Sequence, residues 1–163
     1  MSSGEHTSAS VGIAHALLDP FLFLPELQAR KRDEALAEML GLLHFHGAVR
    51  YPVALLRLLL DREALGSTGI GKGVALPHAR SLAVTTAHLV LARSQQGVEW
   101  NAPDGNPARL IFLLLAPDTP PWHKRYLDLL ADLAGVLRLA RNRNKLLEAD
   151  TFERAAAVLR HLA

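Results

Sequence analysis

No cysteine occurs anywhere in the 163 residues, which removes disulfides and thiolate metal sites at once. The absence suits a reducing compartment, so a cytoplasmic location is the expectation. Long apolar runs are missing too: "VALLRLLL" and "LIFLLLA" fall far short of the about 20 residues a membrane helix needs. The N-terminal "MSSGEHTSAS" has no basic n-region and no adequate apolar stretch behind it, so it does not read as a signal peptide. Residues 1–10 are expected to be a flexible tail. A strong excess of either charge is also lacking, since 18 Lys and Arg face 16 Asp and Glu. Two basic patches, "ARKR" at 29–32 and "RLARNRNK" at 138–145, carry no interleaved aromatics on which single-stranded nucleic acid would stack. They read as solvated helix faces, and neither nucleic-acid binding nor direct membrane insertion is expected.

The remaining composition is that of a globular domain: half the residues are apolar and 21% are charged, enough for a proper core. No internal repeat or linker divides the chain, so residues 11–163 read as one domain. "VGIAHALLDPFLFLPEL" reads as a helical or irregular lead-in followed by an apolar, strand-like run. "KRDEALAEMLGLLHFHG" places Ala35, Leu36, Met39, Leu40, Leu42 and Leu43 at helical spacing, with Gly47 as a stop. "YPVALLRLLLDREALGS" repeats the pattern, with Pro52 suited to a first helical turn.

The texture then changes. "GVALPHA" and "TTAHLVLARS" read as strands, and "GVEWNAPDGNPARLIFLLLAP" as a short strand, a turn-rich segment and an apolar strand at 109–115. After "PDTPPW" the helical period returns, with Tyr126, Leu127, Leu130, Leu133, Ala134 and Leu137 as one stripe. "NRNKLLEA" and "DTFERAAAVLRHLA" follow, the latter with Asp150 as N-cap. Helices, strands, then helices predict an α/β fold with one mixed sheet covered by helices.

Most of the chemistry lies in "GSTGIGKGVALPHAR", residues 66–80. Gly66, Gly71 and Lys72 fit most of a phosphate-cradling G-x-x-x-x-G-K loop, but Gly73 stands where a Ser or Thr must hold magnesium. The context is also inverted: a helix precedes the loop and a strand follows it, so no helix N-terminus faces a phosphate. The stretch reads better as a mount for His78. Pro77 stiffens the backbone before it and biases Leu76 to an extended form. A neutral imidazole, with an ordinary pKa of about 6.5, takes a phosphoryl group without a base to activate it. Backbone N–H groups of the glycine-rich turn are then candidates to hold the phosphate oxygens.

"DREALGSTGIGKGVALPHAR" resembles the signature of the type-2 enzyme IIA domains of the bacterial phosphotransferase system (PTS), the mannitol/fructose and nitrogen-regulatory class. The resemblance runs from about residue 20 onward and takes in "ALAEMLGLL", the turn at Asp104–Pro107 and "RLIFLLLAP". It implies a single-domain, mixed, roughly five-stranded sheet flanked by helices. It also implies a phosphohistidine carrier that receives phosphate from an HPr-type protein, with no cofactor. By that resemblance His78 is the phosphoryl acceptor and Arg62 helps neutralise the phosphate. Thr68, Gly69, Gly71 and Gly73 belong to the loop that shapes the pocket. The family's second active-site histidine opens an H-L-x-x-L-x-x-L-A stretch; here that register is "YLDLLADLA", so Tyr126 fills the slot. His123, three residues earlier, is the alternative. A neutral phenol donates one hydrogen bond but never becomes a cation, which leaves a second expectation open. On that reading the chain is a transfer-impaired adaptor that binds a membrane transporter, channel, kinase or IIB-type partner directly. With no permease or IIB segment in the sequence, regulation of the nitrogen-branch kind is expected over dedicated sugar uptake.

The other histidines invite blander readings. His44 and His46 diverge around a helix and read as surface residues rather than a metal pair, and His88 reads as a satisfied sheet residue. His6, His15 and His161 have no telling context. Trp100 and Trp122 read as core or rim residues.

Overall fold

The computed structural model describes residues 17–161. The expected tail at 1–10 and most of the lead-in segment lie outside them. Six strands form one sheet: β1 (Leu18–Leu24), β2 (Gly69–Gly71), β3 (Val74–Ala75), β4 (His78–Ser81), β5 (His88–Val98) and β6 (Ala108–Pro117). Five helices are found among the described residues: α1 (Arg32–Phe45), α2 (Pro52–Ala64), α3 (Pro120–Leu137), α4 (Ala140–Glu148) and α5 (Phe152–His161).

The strand order is β1-β5-β6-β3-β2, with β4 also on β6. β3 and β4 both run parallel to β6, Val74 facing Leu110 and His78 facing Leu114. They are two halves of one strand broken at Leu76 and Pro77, because proline has no N–H for the ladder. Five strand positions therefore carry six segments, and with β5–β6 and β2–β3 antiparallel the sheet is mixed as expected. β5 and β6 occupy the middle, and their apolar residues alternate between two cores. Val90, Ala92, Ile111 and Leu113 face α1 and α2, while Leu89, Leu91, Leu110, Phe112 and Leu114 face α3 to α5.

Gly47 does stop α1, by a Schellman motif. Ala48 N–H donates to Leu43 O at 2.8 Å and Gly47 N–H to His44 O at 3.0 Å, with Gly47 at φ 73°. Three details depart from the sequence reading. The short strand before Trp100 is no separate strand but the end of β5, beyond a register shift between Arg93 and Val98. On α3, Leu127 is 61% exposed while Leu129 is buried. The inward face is Tyr126, Leu129, Leu130, Leu133 and Leu137, spaced three, four, seven and eleven residues on from Tyr126, which a period of 3.6 requires. Thr151, not Asp150, caps α5: its hydroxyl accepts from Arg154 N–H at 3.3 Å, and Asp150 pairs with the Arg154 side chain instead.

Gly97 and Gly47 both hold left-handed backbone, but a Cβ on Gly97 would lie 2.7 Å from Pro107 Cβ, whereas one on Gly47 meets nothing within 4 Å. Gly47→Ala is expected to cost only the handedness term of about 1–2 kcal/mol, and Gly97→Ala clearly more. Urea unfolding of the two variants checks this; equal losses would contradict the packing assigned to the bulge.

Candidate functional site

The break at Leu76–Pro77 creates the site. Leu76 N–H bonds to Thr68 O at 3.0 Å and Pro77 O accepts from Leu114 N–H at 3.0 Å. The Leu76 carbonyl is left out of the ladder, and His78 Nδ1 sits 2.6 Å from it. A carbonyl only accepts, so Nδ1 carries the hydrogen and Nε2 keeps its lone pair. The backbone thereby selects the tautomer whose outer nitrogen has its lone pair available for attack. The imidazole is half-buried, and that burial, assisted by the nearby Arg62 cation, holds its pKa below the ordinary 6.5. The Leu76 hydrogen bond and Glu63 pull the other way without reversing the shift. At neutral pH the ring is therefore uncharged.

Alternation along β4 decides what the ring meets. Ala79 points into the core beneath α1 and α2, and Leu76 into the core beneath α3. His78 and Arg80, in step with Leu76, share the α3 side. There Tyr126 stands edge-on to His78, ring centroids 5.4 Å apart at 69°. The Arg80 guanidinium carbon lies 5.0 Å from the Tyr126 ring centroid. Burial raises the Tyr126 pKa well above its usual value against the opposing pull of Arg80 and Arg62, so the phenol stays neutral. β4 has only β6 as a neighbour, and at that end of the sheet the last turn of α2 brings in Arg62, whose Nη1 donates to Gly66 O at 2.8 Å. No carboxylate among the described residues forms an ion pair with Arg62 or Arg80. A neutral imidazole with the Arg62 cation nearby and Arg80 over the adjoining Tyr126 ring, neither committed to a carboxylate, suits a dianionic group.

The structure thus brings His78, Arg62 and Tyr126 together. His123 is directed elsewhere: it is exposed on the first turn of α3, with Nε2 3.1 Å from Asp118 Oδ1. Thr68, whose carbonyl holds Leu76 N–H, is buried, and its hydroxyl bonds to the Glu63 carboxylate while its N–H donates to Glu63 Oε2 at 3.0 Å. Trp100 Nε1 donates into the same group, 3.0 Å from Thr68 Oγ1 and 3.3 Å from Glu63 Oε1. Thr68 therefore fastens the loop to α2 and to the segment just after β5, and has no hydroxyl proton to spare for a ligand.

The glycines serve the same fastening. Gly69 packs on Ala102, where a Cβ would lie 3.0 Å from Ala102 Cβ, and Gly71 lies against the Asp104 carboxylate. Gly73 O accepts from Arg109 and Leu110 N–H at 2.7 and 3.0 Å. The expectation that this turn's N–H groups cradle phosphate is corrected for three of them. Thr68 N–H is held by Glu63, Gly69 N–H by Ser67 Oγ and Lys72 N–H by Asp104 Oδ2. The nucleotide-loop reading falls with them, since Gly71–Gly73 is a hairpin tip between β2 and β3.

Arg80 and Glu63 escaped the sequence reading as members of the site. Arg80 was within reach through the two-residue period of a strand carrying His78. Glu63 was not, because its burial depends on Trp100, 37 positions away. No cluster of three or more metal-ligating side chains occurs among the described residues. His44 and His46 are exposed as expected, His44 Nδ1 3.2 Å from Val49 O and His46 between Phe21 and Phe45.

Residues 16–162 match the family described as "Phosphoenolpyruvate-dependent sugar phosphotransferase system, EIIA 2". The chain is 32% identical over 125 residues to the PTS system fructose-specific EIIABC component of Bacillus subtilis, covering 77% of this chain and 19% of that protein. It therefore spans about a fifth of that relative's length. To the Nitrogen regulatory protein of Bradyrhizobium diazoefficiens it is 33% identical over 129 residues, covering 78% of this chain and 80% of that one. The solved Nitrogen Regulatory Protein IIA-Ntr from Neisseria meningitidis superposes with a TM-score of 0.83 at 30% identity, covering 90% of this chain and 99% of that one.

Two outcomes are expected. Followed by NMR, His78 titrates below 6.5, and Arg62→Met moves it upward because a like charge has been removed. A depressed histidine pKa means the unfolded chain takes up protons first, so its contribution to stability is full above about 6.5 and is lost as pH falls through the folded value. Titration at or above 6.5 would contradict the burial. Thr68→Val, which strips partners from buried Glu63 and Trp100, is expected to cost about 1–3 kcal/mol in urea unfolding; a loss under about 0.5 kcal/mol would show the network to be dispensable.

Proposed function

Since this chain belongs to the EIIA type-2 family of the phosphoenolpyruvate-dependent sugar phosphotransferase system, we propose that it is a phosphocarrier whose acceptor is His78. The observation that carries the reading is the hydrogen bond from His78 Nδ1 to the Leu76 carbonyl. It leaves Nε2 free to attack. The phosphoryl donor is an HPr-type protein bearing phosphohistidine. Its N–P bond breaks with the electron pair returning to the donor imidazole, and the Nε2–P bond forms on His78. Such transfer has a loose transition state with charge spread over the phosphoryl oxygens, so positioning and nearby cations supply most of the catalysis. Arg62 is one such cation. Thr68 and Gly69, Gly71 and Gly73 act by holding the loop rather than by touching phosphate.

Phosphorylation adds close to two negative charges to a surface that now presents two arginines, and so changes which protein docks there. The likeness to a nitrogen regulatory protein and this change of charge support a regulatory role, read by a downstream partner in the cytoplasm. No helix among the described residues is long and apolar enough to cross a membrane. A second reading rests on Tyr126: a neutral, buried phenol beside the acceptor favours an adaptor that keeps the binding face and transfers phosphate poorly.

Incubation with phosphoenolpyruvate, enzyme I and HPr, followed by assay of acid-labile phosphate, separates the two. Wild type is expected to be labelled, His78→Ala unlabelled, and Arg62→Met labelled about ten- to a hundredfold more slowly. No label on wild type from several phosphocarrier donors would instead support the adaptor.

A further inference from the structure

Besides Arg62, a second cation stands ready at the acceptor that no family expectation supplied. Arg80 follows His78 by two residues on β4, so strand alternation puts both side chains on the side facing α3. Its guanidinium lies over the Tyr126 ring, 5.0 Å from the centroid, and that ring is the one packed edge-on against His78 at 5.4 Å. Tyr126 is buried, with 5% of its surface exposed, and its neighbours hold it in one place: Leu129 and Leu133 continue its stripe into the core. A fixed aromatic face beneath a guanidinium restrains the long arginine side chain and leaves its N–H edge directed away from the contact. No carboxylate among the described residues competes for that edge.

We propose that Arg80, seated on Tyr126, contacts the non-bridging oxygens of the phosphoryl group on His78 and supplies the charge that a neutral phenol lacks. The inference rests on His78 being the acceptor. Tyr126 is then a positioning residue: its ring is the platform, and its hydroxyl is not required. Arginine suits the task better than lysine, since its planar fork both stacks on the ring and meets a phosphoryl group through two parallel hydrogen bonds. The Arg80 and Arg62 guanidinium groups reach the acceptor from different elements, β4 and α2. Both influence Tyr126 electrostatically, and that ring packs edge-on against His78. On this account transfer persists in a chain whose α3 contributes no imidazolium.

The test compares wild type, Arg80→Met, Arg80→Lys, Tyr126→Phe and Tyr126→Leu, with urea unfolding to confirm that each is folded. Each is phosphorylated by phospho-HPr and, separately, by phosphoramidate, a small donor that needs no docking surface. Arg80→Met is expected to slow labelling by both donors roughly ten- to a hundredfold, with Arg80→Lys recovering part of the loss. Tyr126→Phe should stay within about twofold of wild type. Tyr126→Leu should be slow, and in combination with Arg80→Met no slower than Arg80→Met alone, because the two residues act as one unit. Arg80→Met labelled as fast as wild type by phosphoramidate would overturn the inference while leaving His78 as acceptor. A loss confined to phospho-HPr would assign Arg80 to docking and would also overturn it. A Tyr126→Phe defect as large as that of Arg80→Met would make the hydroxyl the contact and refute the platform. Failure of wild type to label with either donor would remove the acceptor itself, and the inference with it.

Discussion

One hydrogen bond organises the rest: the imidazole Nδ1 of His78 against the carbonyl of Leu76. Pro77 interrupts the strand on β6, while Leu76 turns its N–H to Thr68 and leaves its carbonyl to the imidazole that follows. An ordinary strand would use that carbonyl in a ladder, and the ring would choose its tautomer by solvent. Here the backbone fixes which nitrogen carries hydrogen, and burial with a nearby guanidinium keeps the ring neutral. Tautomer and ring orientation come from one local interruption.

Around that interruption two kinds of rigidity meet. On the α1–α2 side, Glu63, Thr68 and Trp100 form a buried polar group whose members satisfy one another, with Arg32 Nη1 3.9 Å from Glu63 Oε2. Such a network ties the end of α2, which carries Arg62, to the loop that precedes β2. On the α3 side the restraint is apolar and aromatic, through Tyr126 and the stripe beneath it. His78 is held between a polar clamp and a hydrophobic wall, with Arg62 at the end of the one and Arg80 over the Tyr126 ring of the other.

Much of this was legible in the sequence, for reasons that are local. Pro77 before His78, the glycines ahead of them and the helix stop at Gly47 act through the backbone within a few residues, so their effects can be read where they stand. The period of α3 put Tyr126 inward, although counting Leu127 into the stripe missed that a 100° step turns it to solvent. What could not be read was tertiary. The glycine turn has the composition of a phosphate cradle, yet its amides are taken by Glu63, Ser67 and Asp104, two of which lie outside the turn. Glu63 looks like a solvated helix-end acid until Trp100 arrives from the segment after β5. His123 and Tyr126 are a single turn apart, and only the packing of α3 shows that one meets the acceptor and the other meets Asp118.

The account therefore turns on an atom rather than a residue. Phosphorylation of the protein by phosphoramidate, followed by long-range proton–nitrogen NMR with detection of coupling to phosphorus, identifies the ring nitrogen that bears the phosphoryl group. Phosphorus on Nε2, with Nδ1 still protonated toward Leu76, is the predicted result. Phosphorus on Nδ1 would mean that the carbonyl does not govern the ring, and the account would fail at its base.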